Sequence, residues 1–419
     1  MLTLFPGWLR RIFDLPSHRL RQTIFPRGWL SRPVERRHRG VIPSAPRRSL
    51  YVDLAVVSKN DAGTGIQRVV RALALALIRQ DPGDWDIRFV SATRMRPYYR
   101  IVWPGSSEGL AEVIMARPGD VFLGLDFSLD AIRWHRRQLA QFRRDGGALW
   151  FLVYDLLPAQ RPDWFSPKAA LRFKVWLDTL AAIADGFFCI SQQTEADLID
   201  ELCRYNLTPA GYRTCVLPMG HDIMQAKHDG DTANVGSLAQ VRALVGKPFF
   251  LKVGTLEPRK GHIDLIRAFE VLWSRGSGQI LLLVGRLGWH VDGLRNAILT
   301  HPEFGRRLIW LDDVDDASLI EAFQLSEGVI VGSLAEGFGL PLIEALGHGK
   351  PVLARDLPIF RVHEQYGVQF FPAEATPESL ADRILQWHDA IQAGEVIVRA
   401  PNADWNESAR ILLDALSQG

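Results

Sequence analysis

The chain has 419 residues, 47% of them hydrophobic and 23% charged, a composition that buries globular cores and makes two domains the default. Its formal charge of +2 excludes a uniformly basic nucleic-acid binder, but the average hides a basic arm. Residues 1–48 hold eleven Arg, no Lys and two acids, Asp14 and Glu35, a net of +9, so the remainder carries −7. The arm interleaves its Arg with Phe5, Trp8, Phe13, Phe25 and Trp29, and prolines at 6, 16, 26, 33 and 43 rule out one long helix. That mixture suits the anionic face of a membrane. A disordered arm without a partner is the first alternative and nucleic-acid contact the second, the latter lacking any recognised motif. No apolar run approaches the roughly 18 residues of a spanning helix. Arg10, Arg11 and Asp14 interrupt a secretory pattern, so a cytoplasmic location is expected. Cys189, Cys203 and Cys215 are too few and too far apart for a disulfide framework or metal knuckle and read as reduced and structural.

From Leu50 onward, short apolar runs alternate with amphipathic stretches, the rhythm of a parallel sheet covered on both faces. Leu50–Val57 predicts a strand, followed by a glycine loop and a helix over Val69–Arg79. Asp86–Ser91, Val121–Leu125, Ala148–Tyr154 and Gly186–Ile190 predict further strands, with helices over Asp130–Arg144, Ala169–Ala182 and Thr194–Tyr205. The polar stretch from His221 to Lys247 has little periodicity and reads as an interdomain connection. The rhythm then restarts. Phe249–Val253, Ile280–Val284, Leu308–Leu311, Gly328–Val331 and Pro351–Ala354 predict buried strands, with helices over Ile263–Trp273, Ser318–Leu325 and Leu340–Leu346. The division expected is an arm (1–48), an acceptor-side domain (49–222), a linker (223–247), a nucleotide-sugar-binding domain (248–398) and a terminal helix (399–419) packing back towards the first domain. Neither half carries a complete Gly-x-Gly-x-x-Gly fingerprint. Two doubly wound sheets of this kind place a ligand in the cleft between them, beyond the carboxyl ends of their strands.

Two segments carry chemistry. In Ser333–Ala345, a strand end leads through Gly337 and Gly339 into a helix with Pro341 in its first turn. Such a loop offers backbone N–H groups and a positive helix end to an anion, most naturally a phosphate. Glu336 and Glu344 add carboxylate acceptors for the hydroxyls of one extended ligand. In Val253–Gly261, Arg259 and Lys260 follow the first strand of the second domain, and a guanidinium fork beside a compact ammonium suits a diphosphate.

These residues, in the settings EGFGLPLIEAL and VGTLEPRKG, resemble glycosyltransferase family 4, retaining enzymes with the B-type fold of two Rossmann-like domains facing across a cleft. GTGIQR at 63–68, VYDLLP at 153–158, CIS at 189–191, VLPMGHD at 216–222, VGRLGW at 284–289 and PVLARDLPIFR at 351–361 agree with it. The resemblance implies that Arg259 and Lys260 hold the donor diphosphate and stabilise the leaving nucleotide. It places Glu336 on the donor sugar, Glu344 on the ribose, and the amides of Phe338, Gly339 and Leu340 on sugar and phosphate, with Gly254 and Thr255 at the same donor site. Gly63 to Gly65 would close over the donor phosphate, and Asp155 would lie near the acceptor hydroxyl as a catalytic candidate. No cofactor and no metal are implied. Many relatives carry His-Asp where this chain has Tyr154-Asp155, which removes a histidine role.

Asp313-Val314-Asp315 has the spacing of a metal-binding Asp-x-Asp, but Asp315 or Asp316 immediately precedes an amphipathic run and suits a helix N-cap better. His262, His290 and His363 have no metal spacing and read as surface or cleft residues, with His290 a candidate for the donor site. The function implied is transfer of a hexose, first mannose from GDP-mannose, to a polyprenyl-diphosphate-linked saccharide in exopolysaccharide or lipopolysaccharide assembly. The protein would work at the cytoplasmic face of the inner membrane, held there by the arm, without nucleic acid. UDP-glucose or another donor, a hydrolase or phosphorylase with paired carboxylates, and a non-catalytic partner subunit are the alternatives.

Overall fold

The computed structural model describes residues 47–61, 63–105, 112–204, 211–221, 235–289 and 291–418. The basic arm, apart from Arg47 and Arg48, lies outside them, as does His290.

Among the described residues the strands form two sheets. The first holds β1 (Arg48–Asp53), β2 (Trp85–Ser91), β3 (Tyr99–Arg100), β4 (Val121–Gly124), β5 (Ala148–Val153), β6 (Gly186–Cys189) and β7 (Arg213–Val216) in the order β3-β2-β1-β4-β5-β6-β7. All its pairings are parallel except that of β3 with β2. The second holds β8 (Phe249–Val253), β9 (Ile280–Val284), β10 (Leu308–Leu311), β11 (Gly328–Val331), β12 (Val352–Arg355) and β13 (Gln369–Phe371) in the order β10-β9-β8-β11-β12-β13, wholly parallel. Both orders reverse direction after a central strand, at β1/β4 and at β8/β11, and a doubly wound sheet opens its ligand crevice at such a point. The strands are continuous apolar runs, as in Ile280–Val284 with every residue buried, because helices cover both faces.

One buried apolar cluster joins the inner faces of the two sheets to the C-terminal helix Trp405–Ser417. That helix packs along Gly65–Arg79 of the first domain, and the Trp85 indole donates to Ser417 Oγ at 3.1 Å. Separate clusters fill the outer faces. The three cysteines are free, with Cys189 inside β6 and Cys203 exposed.

Several expected elements are redrawn. The first strand stops at Asp53 although the apolar run continues to Val57, because Asp53 Oδ1 accepts the Ala55 N–H and Asp126 Oδ2 accepts those of Val56 and Val57. These carboxylates turn the chain. The first helix begins at Gly65, four residues early, where Thr64 and Gln67 form a reciprocal capping box. The predicted helix 130–144 is two helices, Leu129–Trp134 and Arg136–Arg144, parted at His135. The expected connection contains a helix, Val235–Arg242, that packs on Asp316–Leu325 and shares a Ser237–Ser318 hydroxyl bond of 2.9 Å. Helices Asp292–Leu299 and Pro377–Gln392 and strands β7 and β13 had no counterpart in the sequence reading.

Candidate active site

The residues leaving β8 build the first wall. Gly254 has a φ of +143°, and Gly285 crosses it so closely that a Cβ there would lie 2.1 Å from the Gly254 carbonyl oxygen. Thr255 sits beside Gly288 on the same crossing. Pro258–Lys260 makes one 3-10 turn, which ends at Gly261 with φ +66°. A Cβ on Gly261 would meet the Gly332 carbonyl oxygen at 2.0 Å, so glycine lets this turn lie against the exit of β11.

That closeness joins the cations to the acidic loop. Arg259 Nη1 donates to Glu336 Oε2 at 2.9 Å, Lys260 Nζ to Glu336 Oε1 at 2.6 Å, and Ser333 Oγ to the same Oε1 at 2.7 Å. Arg259 Nη2 also pairs with Glu257 Oε1 at 2.9 Å. Burial alone would push the Glu336 carboxyl up, but Lys260 and Arg259 outweigh it and hold the group at about 2. Burial works against the Arg259 charge, and Glu336, Glu257 and Asp155 more than compensate, so it stays a cation. Arg259 Nε has no protein partner among the described residues. Behind this unit lie Lys252, pushed by burial and then by Lys260 to about 7, and His262, driven well below its ordinary range by burial, Lys252 and Lys260.

Two helix ends face each other above it. Gly339, at φ +93°, caps Leu340–Gly347, with Pro341 in the first turn. Among the described residues the amides of Phe338 and Gly339 have no protein acceptor. Gly63, at φ +66°, and Thr64 start the opposite helix, and a Cβ on Gly65 would touch Leu340 Cδ1 at 3.4 Å. Two positive helix ends therefore converge from the two domains.

The first domain supplies the other wall. Asp155, at the end of β5, accepts the Leu157 N–H at 3.2 Å; burial pushes its carboxyl up while the facing Arg259 pulls it down. A Cβ on Gly337 would lie 2.0 Å from the Tyr154 carbonyl oxygen and 3.1 Å from Asp155 Cβ, so the domains touch here. Ser191 Oγ and Thr194 Oγ1 donate to the Gly337 carbonyl oxygen at 2.8 and 3.1 Å. Further along the rim, Trp289 Nε1 donates to the Trp164 carbonyl oxygen at 2.6 Å.

Residues 238–392 match the family model of glycosyl transferases group 1. The serotype-specific mannosyltransferase WbdA of Escherichia coli is 32% identical over 385 residues, 88% of this chain and 45% of that protein. The chain belongs to the group 1 glycosyltransferases. It spans about half the length of the WbdA proteins it matches. The O-antigen chain mannosyltransferase B of Escherichia coli is 32% identical over 27% of this chain and 30% of its own. Among solved structures, sucrose-phosphate synthase from Thermosynechococcus elongatus superposes with a TM-score of 0.57 at 18% identity, covering 88% of this chain and 95% of that one. Anabaena Alr3699/HepE in complex with UDP-glucose gives 0.55 at 16%, covering 88% and 97%. These two show the shared two-domain fold.

In this group 1 family member the expected site residues occupy one cleft, in a pairing that the sequence reading did not contain. Glu336 binds both cations, and Glu344, 1% exposed, pairs with Arg68 from the opposite domain. Arg68 was missed. The available signal is its place in line with Ala72 and Ala76, buried residues on one helical face. Tyr154 is a prop, its hydroxyl donating to the Leu125 carbonyl oxygen at 2.7 Å, away from the cleft. Beside it, at the first sheet's reversal point, Asp53 accepts from Tyr98 and Ser128, and burial pushes Asp53 to about 7 and Asp126 to about 6. Of the histidines expected at the surface or in the cleft, His262 is core, 1% exposed, and His363 is buried edge-on against Phe338, so the surface half of that expectation fails for both. Asp315 is the N-cap, accepting the Ser318 N–H at 2.7 Å, and Asp313 pairs with Arg286. Among the described residues no three His, Cys, Asp or Glu side chains group as a metal site, and no helix is long and apolar enough to cross a membrane.

Proposed function

We propose that this chain is a retaining hexosyltransferase that uses a nucleotide sugar, GDP-mannose as first choice, and glycosylates a lipid-linked saccharide. The observation that carries the reading is the unit of Arg259, Lys260 and Glu336 lying beneath two converging helix ends and opposite Asp155. A diphosphate leaving group needs fixed positive charge where its own charge develops, and these cations and amides supply it without reorganisation. The bond from the anomeric carbon to the diphosphate breaks as the acceptor oxygen bonds on the same face, and the acceptor proton passes to the departing phosphate oxygen. Glu336 orients the cations and accepts from sugar hydroxyls, and Asp155 positions the acceptor hydroxyl. The choice of mannose rests on the likeness to the mannosyltransferases of Escherichia coli.

The arm of residues 1–48 supports membrane docking through its Arg and aromatic content, which would bring the cleft to a polyprenyl-diphosphate-linked acceptor. The test is a panel of nucleotide sugars offered to purified protein, scored for binding and slow hydrolysis, with and without EDTA. Preference for one donor, unchanged by chelation, is expected. Indifference to all of them refutes the reading, and loss of turnover on chelation returns Asp313 and Asp315 to consideration. Removing residues 1–48 should lower binding to anionic vesicles more than donor hydrolysis; unchanged vesicle binding refutes the docking role.

A further inference from the structure

Arg68 and Glu344 lie 276 residues apart in the chain and meet across the cleft, Nη2 to Oε1 at 2.6 Å, with side chains 9% and 1% exposed. Removing two charges from water costs about what their attraction returns unless the remaining donors and acceptors are satisfied. Here they are not. Arg68 Nε and Glu344 Oε2 both lack a protein partner among the described residues. The neighbouring cation cannot serve the spare oxygen, because Arg71, one turn on, is committed to Asp61 at 3.0 Å and Asp316 at 3.6 Å. Burial pushes the Glu344 carboxyl up and Arg68 opposes it. One interdomain ion pair therefore offers a spare N–H donor and a spare carboxylate acceptor.

The chemistry of an occupant follows from that combination. An anion would face the Glu344 carboxylate, and a cation would face the Arg68 guanidinium. A neutral group that both donates and accepts satisfies the two spare atoms together, and a vicinal diol does so from adjacent oxygens. We propose that Arg68 is a donor-binding residue contributed by the N-terminal domain: with one ribose hydroxyl on Glu344, as the family resemblance already implies, Arg68 Nε donates to the oxygen of its neighbour. The nucleotide is then gripped by both domains, and its binding is tied to the closed arrangement in which Gly65 meets Leu340. This deepens the reading of the cleft as a nucleotide-sugar site and rests on it.

The test is calorimetric binding of GDP, UDP and ADP to the full chain, followed by the 2′-deoxy and 3′-deoxy forms of whichever binds. The proteins compared are wild type, Arg68→Met, Arg68→Lys and Glu344→Gln. In wild type, loss of either hydroxyl should weaken binding by about tenfold or more, because it leaves a buried partner unpaired. In Arg68→Met the ribonucleotide should weaken by a similar factor while one of the two deoxy forms, the one lacking the oxygen that Arg68 Nε holds, changes little, so discrimination at that hydroxyl falls below about threefold. Arg68→Lys, which keeps the charge but not the planar fork, should fall between them and serves alone if the Met variant does not fold. A variant that melts at lower temperature but keeps the full preference for ribose shows that Arg68 is only structural and overturns the proposal. Equal wild-type affinity for ribose and deoxyribose forms also overturns it. Failure of every nucleoside diphosphate to bind wild type refutes the nucleotide-sugar reading itself.

Discussion

Lys252 lies in the middle of β8 at 1% exposure, directly behind the cations of the cleft. Burial, then Lys260, lowers its ammonium from 10.5 to about 7, with Glu336 the compensating charge. Between those two values the unfolded chain holds a proton that the folded chain has released, so stability rises with pH across that window. Below about pH 7 the fold must carry the buried charge at full cost. The gap from 10.5 to about 7 corresponds to about 5 kcal/mol. Methionine fills the space of the lysine stem without the charge. Lys252→Met should therefore be more stable than wild type by a few kcal/mol at pH 6. The advantage should shrink by about 1.4 kcal/mol per pH unit above 7 and vanish near pH 10. Urea unfolding of both proteins at pH 6, 8 and 10 measures the difference, in which all other titrations cancel. A difference independent of pH, or a less stable variant at pH 6, would show a lysine that is charged and well paired in the fold, and would refute the argument. Below about pH 7 the same charge adds to the field on a bound diphosphate, so there the stabilised variant should bind nucleoside diphosphates more weakly, a trade of stability against function.

Three further outcomes follow from named contacts. Glu336→Gln removes the counter-charge of Arg259 and Lys260 and should lower turnover by about 10²- to 10³-fold with the circular dichroism spectrum kept; near-normal turnover would remove Glu336 from the site. Because its folded value is about 2 against an ordinary 4.5, its ionisation stabilises the wild type above pH 4.5, and that contribution is lost as pH falls towards 2; an acid titration that gives Glu336→Gln the same profile as wild type would contradict this. Gly337→Ala places a methyl group 2.0 Å from the Tyr154 carbonyl oxygen and must part the domains at Asp155, so transfer should fall sharply while nucleotide binding falls less; wild-type transfer rates would show that the contact is dispensable. Asp315→Ala loses the cap on Asp316–Leu325 and should cost about 1 kcal/mol without changing donor affinity, which calorimetry checks.

The alternation of elements was legible wherever a strand is apolar on both faces. Phe249–Val253, Ile280–Val284, Leu308–Leu311 and Gly328–Val331 are strands over those same residues. It failed where hydropathy is not what decides. Leu50–Val57 is one apolar run, yet the buried carboxylates of Asp53 and Asp126 take the N–H groups of Ala55 to Val57 and end the strand. Strands β7 and β13 sit at sheet edges, mostly half-exposed, and so lack an apolar signature. In helix Val235–Arg242, Gly236, Ser237 and Ala239 blur the period.

The site was legible as a set of residue types and illegible as a set of bonds. Two cations after one strand and two carboxylates around a glycine loop are sequence-local patterns, and each predicts a ligand group by its own charge. Which cation answers which carboxylate depends on glycines that let backbones touch: Gly261 against Gly332 brings the Arg259 turn to Glu336, and Gly337 against Tyr154 brings that loop to Asp155. Arg68 shows the consequence. Read along its own helix it is one more charged residue before an apolar run. Its meaning comes from Glu344 on the opposite domain, because a guanidinium keeps its charge when buried and must find a carboxylate to balance it.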